Sequence, residues 1–217
     1  MSRIRLEQEW RPVNTVYCIG RNYVAHIAEL GNEMPAEPLV FLKPNACLLN
    51  GGAEIVLPPF SENVHYETEL VLLIGEDADS LSEENALSAV AGYGVGLDLT
   101  ARDVQDEIKA KGLPWTKAKG FKGAACVSDF IAADKLTRPL QTAFGLRVNG
   151  ATRQSGDTAL MMFPLPKILC FLAETYGLRR GDLVFTGTPE GVGKLNAGDV
   201  LQLDLAGLVQ AGFTVAA

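Results

Sequence analysis

Three acidic residues are candidates for a metal site. Glu67 and Glu69 lie two positions apart in a predicted strand, so their side chains would share one face, with His65 on the same side. Asp98 is the only charge in a glycine-rich apolar run before a predicted helix, and such an acid must be paired, hydrogen-bonded or metal-bound. Three carboxylates favour a hard cation, Mg²⁺, Mn²⁺ or Ca²⁺. An exposed strand face for the glutamates and a helix-capping role for Asp98 remain open.

A histidine next to an acid is a second candidate for chemistry. His26 and Glu29 are three residues apart in a predicted helical turn, which places both side chains on one face. A carboxylate beside an imidazole fixes its tautomer and stabilises its charged form, as a general base requires. A solvated pair on an exposed helix is the alternative.

Positive charge is available in the loop after Trp115. Lys117, Lys119 and Lys122 could form a solvated basic patch, or one of them could serve a site rich in carboxylates. The glycine-rich segment 186–193 matches neither common phosphate-loop pattern and is predicted to lead into another strand, so a nucleotide site is not expected.

Composition excludes several classes of protein. The 217 residues are 47% hydrophobic and 21% charged, which rules out intrinsic disorder. A net charge of −7 argues against binding to nucleic acid or to a membrane surface. No apolar run reaches the roughly 20 residues of a membrane span, and no signal peptide is apparent. The four scattered cysteines predict buried, reduced thiols and a reducing compartment, by default the cytoplasm.

The elements that must position these residues are mostly strands. Strands are predicted at 13–19, 54–57, 67–74, 92–99, 182–186, 200–205 and 208–215, with a hairpin over 146–154 around Asn149-Gly150. Helices are predicted at 23–30, 82–91, 101–111 and 166–176, with Ser82 and Thr100 as N-caps and Gly92 ending the second. Strands and helices do not alternate regularly. The pattern therefore predicts a single α+β domain over 1–217, rich in β-structure, with an antiparallel or mixed sheet.

Eight motifs follow one another along nearly the whole chain. They are Ile19-Gly-Arg-Asn-Tyr23, His26-x-x-Glu29, Phe41-Leu-Lys-Pro44, His65-Tyr-Glu-Thr-Glu69, Gly96-Leu-Asp-Leu-Thr-Ala-Arg-Asp-Val-Gln105, Gly112-Leu-Pro-Trp115, Ala118-Lys119 and Thr186-Gly-Thr-Pro-x-Gly-Val-Gly193. In kind and in order, this set resembles the fumarylacetoacetate hydrolase family, in its short, single-domain acylpyruvate hydrolase branch.

The resemblance implies a rolled mixed β-sheet catalytic domain of the family's C-terminal type, a homodimer, and a divalent metal, Mg²⁺ or alternatively Mn²⁺ or Ca²⁺. It also implies roles for ten residues of this sequence. The metal ligands would be Glu67, Glu69 and Asp98, the water-activating dyad on a lid His26 and Glu29, the catalytic lysine Lys119, and the substrate-binding residues Arg21, Arg102, Gln105 and Thr188.

The activity implied by the resemblance is metal-dependent hydrolysis of a carbon–carbon bond in a 3-acylpyruvate. Acetylpyruvate or fumarylpyruvate would yield pyruvate and a carboxylic acid. Decarboxylation or isomerisation of oxaloacetate or another oxo-diacid, on the same site, is the alternative. Either way the expected partner is a small 2-oxo acid.

Overall fold

The chain folds mainly into β-strands, and the computed structural model describes residues 2–31 and 33–217. In these residues the strands are β1 (Arg3–Leu6), β2 (Glu9–Pro12), β3 (Val16–Gly20), β4 (Leu39–Lys43), β5 (Leu48–Asn50), β6 (Glu54–Ile55), β7 (Val64–Tyr66), β8 (Thr68–Ile74), β9 (Val90–Asp98), β10 (Thr100–Ala101), β11 (Ala125–Val127), β12 (Ile131–Ala132), β13 (Ala143–Val148), β14 (Ala151–Asp157), β15 (Leu183–Phe185), β16 (Gly193–Lys194), β17 (Val200–Leu205) and β18 (Val209–Val215). The α-helices are α1 (Val24–Glu29), α2 (Arg102–Ala110), α3 (Thr116–Lys119) and α4 (Leu165–Tyr176).

The largest sheet is mixed and carries the centre of the core. Its strands run in the order β4-β3-β15-β8-β9-β11-β5, with β12 pairing on β9. The pairs β3/β15 and β5/β11 are parallel, and the other pairs are antiparallel. Every residue of β8 is buried, as expected for a strand covered on both faces, which explains its continuous apolar run from Leu70 to Ile74.

A second sheet packs on this one. Its five strands run in the order β14-β13-β17-β18-β6, and β13 and β17 contact β8 and β9 of the larger sheet. Leucines and phenylalanines from both sheets, including Phe185 and Phe213, fill one hydrophobic core between them. Both sheets are mixed, which confirms the predicted β-rich α+β fold with a rolled mixed sheet.

Small elements complete the frame around the predicted site residues. The antiparallel strands β10-β7-β16 form a three-stranded sheet, and α2 packs against β7, β10 and α3. Helix α4 begins with a proline in its first turn and packs on a short 3-10 helix, Ala86–Ala89. Among the residues described, no helix is long and apolar enough to cross a bilayer. All four cysteines are free thiols, and only Cys170 is partly exposed.

The structure confirms several predicted elements and corrects two. The Asn149-Gly150 hairpin joins β13 to β14, and three of the four predicted helices lie within a residue or two of α1, α2 and α4. Thr100 is not the N-cap of α2, because Ala101 holds that position and Thr100 is a strand residue. The predicted helix over 82–91 was wrong. That segment consists of turns and the 3-10 helix, and from Val90 onwards it is strand β9.

Tight packing of strands explains the second correction. Residues from Val90 onwards pair with β8, and Gly92 lies inside that strand rather than after a helix. A Cβ atom on Gly92 would meet the carbonyl oxygen of Ile131 and a methyl group of Leu6, each at 2.6 Å. The glycine is therefore needed for close approach between strands, not for ending a helix.

Candidate metal centre and catalytic cavity

A cavity of about 310 Å³ opens between α1, α2, α3 and the ends of β8 and β9. Its size lies near the lower end of the range for ligand pockets, which suits a small substrate. All ten predicted site residues line it: Arg21, His26, Glu29, Glu67, Glu69, Asp98, Arg102, Gln105, Lys119 and Thr188. The structure therefore brings together residues spread over most of the chain.

Strand register brings the three acids together. Glu67 lies at the break between β7 and β8, and Glu69 is the second residue of β8. Antiparallel pairing of β8 with β9 places Asp98 opposite Glu67, and the amide of Asp98 donates to the carbonyl of Glu67 at 2.8 Å. Directly paired residues point to the same face of a sheet. One carboxylate oxygen from each of the three buried acids consequently lies within 4.8 Å of the others.

The loop after β15 holds Glu69 in place. The backbone amide of Gly187 donates to Oε2 of Glu69 at 2.7 Å. Gly187 has φ of +104°, and a Cβ atom there would lie 2.6 Å from the Cβ of Asn22. Only glycine fits this conformation and this close approach, which accounts for the glycine within the 186–193 segment. That segment thus serves a carboxylate rather than a phosphate.

Buried cations surround the acids. Nζ of Lys119 lies 2.7 Å from Oε2 of Glu67, from Oδ2 of Asp98 and from Oγ1 of Thr100. Arg102, the first residue of α2, forms an ion pair with Glu67 through Nη2 and donates to Oε1 of Gln105 at 2.6 Å through Nη1. Lys119 and Arg102 therefore fix two of the three acids, whereas among the residues described the hydrogen bond to Glu69 comes from the backbone amide of Gly187.

Lys43 is a member of this cluster that sequence reasoning missed. Its side chain is fully buried, its Nζ lies 2.7 Å from Oδ1 of Asp98, and it donates to the backbone carbonyls of Lys119 and Leu99. The signal was present in the sequence: a lone lysine at the end of the apolar run Leu39 to Leu42 requires a buried partner.

The pKa values of Glu67 and Glu69 are shifted in opposite directions. Burial alone would raise the pKa of Glu67, but the charges of Lys119 and Arg102 outweigh it and hold that pKa far below its ordinary range. Burial and the Asp98 carboxylate raise the pKa of Glu69 well above its usual value. For Lys119, burial works against the ammonium form, but Asp98 and Glu67 outweigh it and raise the pKa. Glu69 is therefore the acid that most lacks a positive partner.

This donor set fits a hard divalent cation. Glu67, Glu69 and Asp98 offer only carboxylate oxygens, which Mg²⁺ and Mn²⁺ prefer. A cation would also supply the positive charge that Glu69 lacks. Three carboxylate ligands would leave coordination positions for water or substrate oxygens.

The histidine–glutamate pair forms as the sequence predicts. His26 in α1 is buried, and its Nδ1 lies 3.3 Å from Oε2 of Glu29. Oε1 of Glu29 accepts a hydrogen bond from the backbone amide of Gly191 at 3.0 Å. This bond links α1 to the loop after β15. With Nδ1 directed to Glu29, Nε2 is the nitrogen that can accept a proton. Both residues of the pair line the cavity, so its geometry is compatible with the predicted role of a general base.

The remaining predicted residues frame the cavity. Oγ1 of Thr188 accepts a hydrogen bond from Nε2 of Gln154 at 2.8 Å, so a buried glutamine sets the position of this hydroxyl. Arg21 adopts φ of +57° and donates through Nη1 to the carbonyl of Glu33 at 3.2 Å. A left-handed conformation at a non-glycine residue carries strain and is typical of functional sites.

The three lysines in the loop after Trp115 differ in burial. Lys119 is buried among the carboxylates, whereas Lys117 and Lys122 are exposed, the former over the ring of Phe60. The choice of Lys119 over its neighbours therefore agrees with its burial and contacts.

Comparison with known protein families and sequences gives consistent matches. The model of the fumarylacetoacetate hydrolase C-terminal family matches residues 15–216. The chain is 43% identical to oxaloacetate tautomerase YcgM of Escherichia coli over 90% of each protein. It is 40% identical to the mitochondrial oxaloacetate tautomerase FAHD1 of Bos taurus, over 97% of this chain and 95% of the relative.

A solved structure resembles the fold over almost its full length. The fumarylpyruvate hydrolase of Pseudomonas aeruginosa, in complex with Mn²⁺ and pyruvate, superposes with a TM-score of 0.94 and 35% sequence identity. The match covers 99% of this chain and 95% of that protein.

Proposed function

The chain belongs to the fumarylacetoacetate hydrolase family, and on that premise we propose that it is a metal-dependent enzyme that interconverts the keto and enol forms of oxaloacetate. The observation that carries the proposal is the meeting of three buried carboxylates, a buried ammonium and a carboxylate-held imidazole in one small cavity. Oxaloacetate as substrate is supported by the two tautomerases that match nearly the whole chain.

Glu67, Glu69 and Asp98 would hold the metal, which we propose to be Mg²⁺, with Mn²⁺ or Ca²⁺ as alternatives. The Mn²⁺ in the Pseudomonas aeruginosa relative supports a divalent ion. When bound, such a cation supplies Lewis-acid stabilisation for the negative charge that a 2-oxo acid develops as it enolises.

The residues of this chain would move the proton and hold the substrate. In the keto-to-enol direction C3 of oxaloacetate loses a proton and the C2 oxygen gains one, so a base that takes the C3 proton can return it to that oxygen. His26, oriented by Glu29, would take the proton at Nε2. The buried ammonium of Lys119 would stabilise the developing enolate electrostatically. Substrate oxygens would be oriented by Arg21, Arg102, Gln105 and Thr188.

Hydrolysis of a 3-acylpyruvate is the second candidate, because the same imidazole could activate water. In that reaction His26 would take a proton from water, the hydroxide would attack the distal carbonyl, and the carbon–carbon bond would break to give pyruvate and a carboxylic acid. The fumarylpyruvate hydrolase relative supports this candidate. Decarboxylation of oxaloacetate, a further alternative, needs no attacking water and yields CO₂ and pyruvate.

One panel of assays separates these reactions. The metal-loaded chain is mixed with oxaloacetate, acetylpyruvate or fumarylpyruvate. Loss of the enol is followed by ultraviolet absorbance, and products are identified by NMR. We expect rapid keto–enol equilibration of oxaloacetate without carbon loss. Release of acetate from acetylpyruvate at a higher catalytic efficiency would instead favour the hydrolase. Absence of any effect on all three substrates would refute the proposal.

We also propose that the chain works as one catalytic domain over 1–217, as a homodimer, in the cytoplasm. The continuous core supports the first point, and the four free thiols support a reducing compartment. Some relatives are named as mitochondrial, so fractionation of the source cells is the test of location. The mass of the native particle, measured by light scattering, tests the dimer.

A further inference from the structure

A buried glutamine connects three parts of the candidate site. Gln154 lies on β14 of the second sheet and is 1% exposed. Its Oε1 accepts a hydrogen bond from the backbone amide of Thr68 at 2.9 Å. Its Nε2 donates to Oγ1 of Thr188 at 2.8 Å and to the carbonyl of Pro189 at 3.0 Å. The function proposed above gives Gln154 no task.

A β-bulge precedes this side chain. Arg153 has no partner on β13, because the register between β13 and β14 shifts at this point, and Gln154 is the next residue. Bulges re-aim side chains and are common beside active sites. The loop after β15 packs on the bulge so closely that a Cβ atom on Gly191 would clash with the carbonyl oxygen of Arg153. Gln154 therefore lies where the second sheet meets that loop.

Backbone groups fix the orientation of the Gln154 amide. The amide of Thr68 can only donate, so the atom that faces it must be the side-chain oxygen. The carbonyl of Pro189 can only accept, so the atom that faces it must be the side-chain nitrogen. The reversed amide would lose both hydrogen bonds. The nitrogen therefore also faces Thr188 and donates to its hydroxyl oxygen.

This contact decides how the Thr188 hydroxyl can bond. A hydroxyl has one proton to donate and accepts through its oxygen. Because Gln154 donates to that oxygen, the Thr188 proton needs a different partner. Thr188 is buried and lines the cavity, and no protein group in the described part of the chain accepts its proton. The hydroxyl is thus held as a donor toward a molecule in the cavity.

A donor of fixed direction suits a 2-oxo acid. In the keto form, the oxygens of its carboxylate and of its 2-oxo group only accept hydrogen bonds. The 2-oxo oxygen also gains negative charge as the acid enolises, and a donor held in place beforehand stabilises that charge without reorientation. Without Gln154, the carbonyl of Pro189 would lack its donor and could compete with the substrate for the proton of Thr188.

We propose that Gln154 is a positioning residue that acts through Thr188, by holding its hydroxyl as a donor to a substrate oxygen. The inference rests on the proposed function, because Thr188 must face a bound 2-oxo acid. The alternative is that Gln154 only braces the strand between Glu67 and Glu69 through its bond to Thr68. The two explanations differ in whether the effect of removing Gln154 depends on the Thr188 hydroxyl.

A cycle of paired substitutions separates these explanations. Gln154→Met removes the amide and keeps a similar side-chain volume. It is made in the wild type, in Thr188→Ser, which keeps the hydroxyl, and in Thr188→Val, which replaces the hydroxyl by a methyl group. Rates of oxaloacetate enol conversion at saturating Mg²⁺ give kcat and KM for each protein.

The matched control is Gln202→Met, since Gln202 is an exposed glutamine on β17 of the same sheet. Thermal unfolding checks that each variant keeps the fold. If Gln154→Met does not fold, Gln154→Asn takes its place in the cycle, because it keeps the buried amide but shortens its reach.

We expect Gln154→Met to lower kcat/KM about 10-fold in the wild type and in Thr188→Ser, the scale of one hydrogen bond to a charged group. In Thr188→Val the same substitution should cost less than about twofold, because the hydroxyl on which Gln154 acts is absent. Gln202→Met should stay within about twofold of the wild type.

Two results would overturn the inference and leave the proposed function intact. One is an equal loss from Gln154→Met in all three backgrounds, and the other is no loss in the wild type. If the wild type does not convert oxaloacetate at all, the proposed function itself fails, and this inference fails with it.

Discussion

Replacing Lys119 by methionine removes the charge that holds two acids of the candidate metal centre. In the metal-free protein its ammonium lies 2.7 Å from carboxylate oxygens of both Glu67 and Asp98, all three side chains being buried. Removing one partner of a buried ion pair costs about 3–5 kcal/mol, because the remaining charge is left uncompensated. At about 2–4 °C per kcal/mol for a chain of this size, the metal-free variant should unfold roughly 10 °C below the wild type.

Metal should restore most of this loss. A divalent cation supplies the positive charge that the variant lacks, so Mg²⁺ should raise the unfolding temperature of Lys119→Met more than that of the wild type. A protonated lysine is not a metal ligand, so on that ground alone Lys119→Met would keep the metal affinity of the wild type. The contacts of Lys119 with two of the three carboxylates predict tighter binding instead. Activity should nevertheless fall about 100- to 1000-fold, as when one preorganised electrostatic donor is lost.

Differential scanning calorimetry with and without Mg²⁺, together with metal titration, measures these effects. Lys122→Met is the matched control, since Lys122 is exposed three residues away and its loss should change stability by less than about 0.5 kcal/mol. The reasoning is refuted if metal-free Lys119→Met unfolds with the wild type, or if Lys122→Met is the more damaging change.

Three further predictions concern His26 as the general base, the protonation of Glu69, and Lys43. His26→Ala should lower the rate of acylpyruvate hydrolysis at least about 100-fold and the rate of oxaloacetate decarboxylation much less. Steady-state assays of both reactions measure this. Equal losses of both rates would mean that His26 does not act on water. Burial and Asp98 raise the pKa of Glu69 above its unfolded value, so metal-free stability should fall as pH rises above about 5, whereas the Mg²⁺-loaded protein should not show this fall. Unfolding temperatures from pH 5 to 8 check this, and parallel curves would contradict it. Lys43→Met should destabilise the metal-free chain by about 3–5 kcal/mol in urea unfolding, and an unchanged midpoint would show that its ion pair with Asp98 contributes little.

Local patterns in the sequence predicted much of the fold. The Asn149-Gly150 pair predicted the β13/β14 hairpin because left-handed conformations at both residues suit these two types, and both have positive φ. The segment from Ser82 to Ala91 was misassigned because its alanines and Leu87 favour a helix locally. In that segment the side-chain oxygen of Asn85 accepts a hydrogen bond from the amide of Ser82. From Val90 onwards the residues pair with β8 and form a strand. Such pairing between distant segments cannot be read from local propensity.

Most members of the candidate site were predictable from the sequence, but their contacts were not. Two-residue spacing and a lone acid in an apolar run made Glu67, Glu69 and Asp98 candidates, the resemblance to a known family assigned them to a metal site, and the structure brings them together. The resemblance to a known family supplied Lys119, which spacing could not distinguish from its neighbours. Lys43 was missed because its partner, Asp98, lies 55 positions away along the chain, and three strands (β3, β15 and β8) separate β4 from β9 in the sheet order. Ion pairs between distant strands depend on register, which local sequence does not fix.

Metal stoichiometry measured alongside activity tests the central proposal most directly. Metal-free protein is titrated with Mn²⁺, and bound metal and the rate of oxaloacetate enol conversion are measured in the same samples. If Glu67, Glu69 and Asp98 hold the catalytic ion, the rate should rise in proportion to bound Mn²⁺ and saturate at about one ion per chain. Both should be lost in Glu69→Ala and kept in Glu76→Ala, an exposed glutamate beyond the end of β8. Full turnover without metal, or unchanged Mn²⁺ binding in Glu69→Ala, would contradict the account.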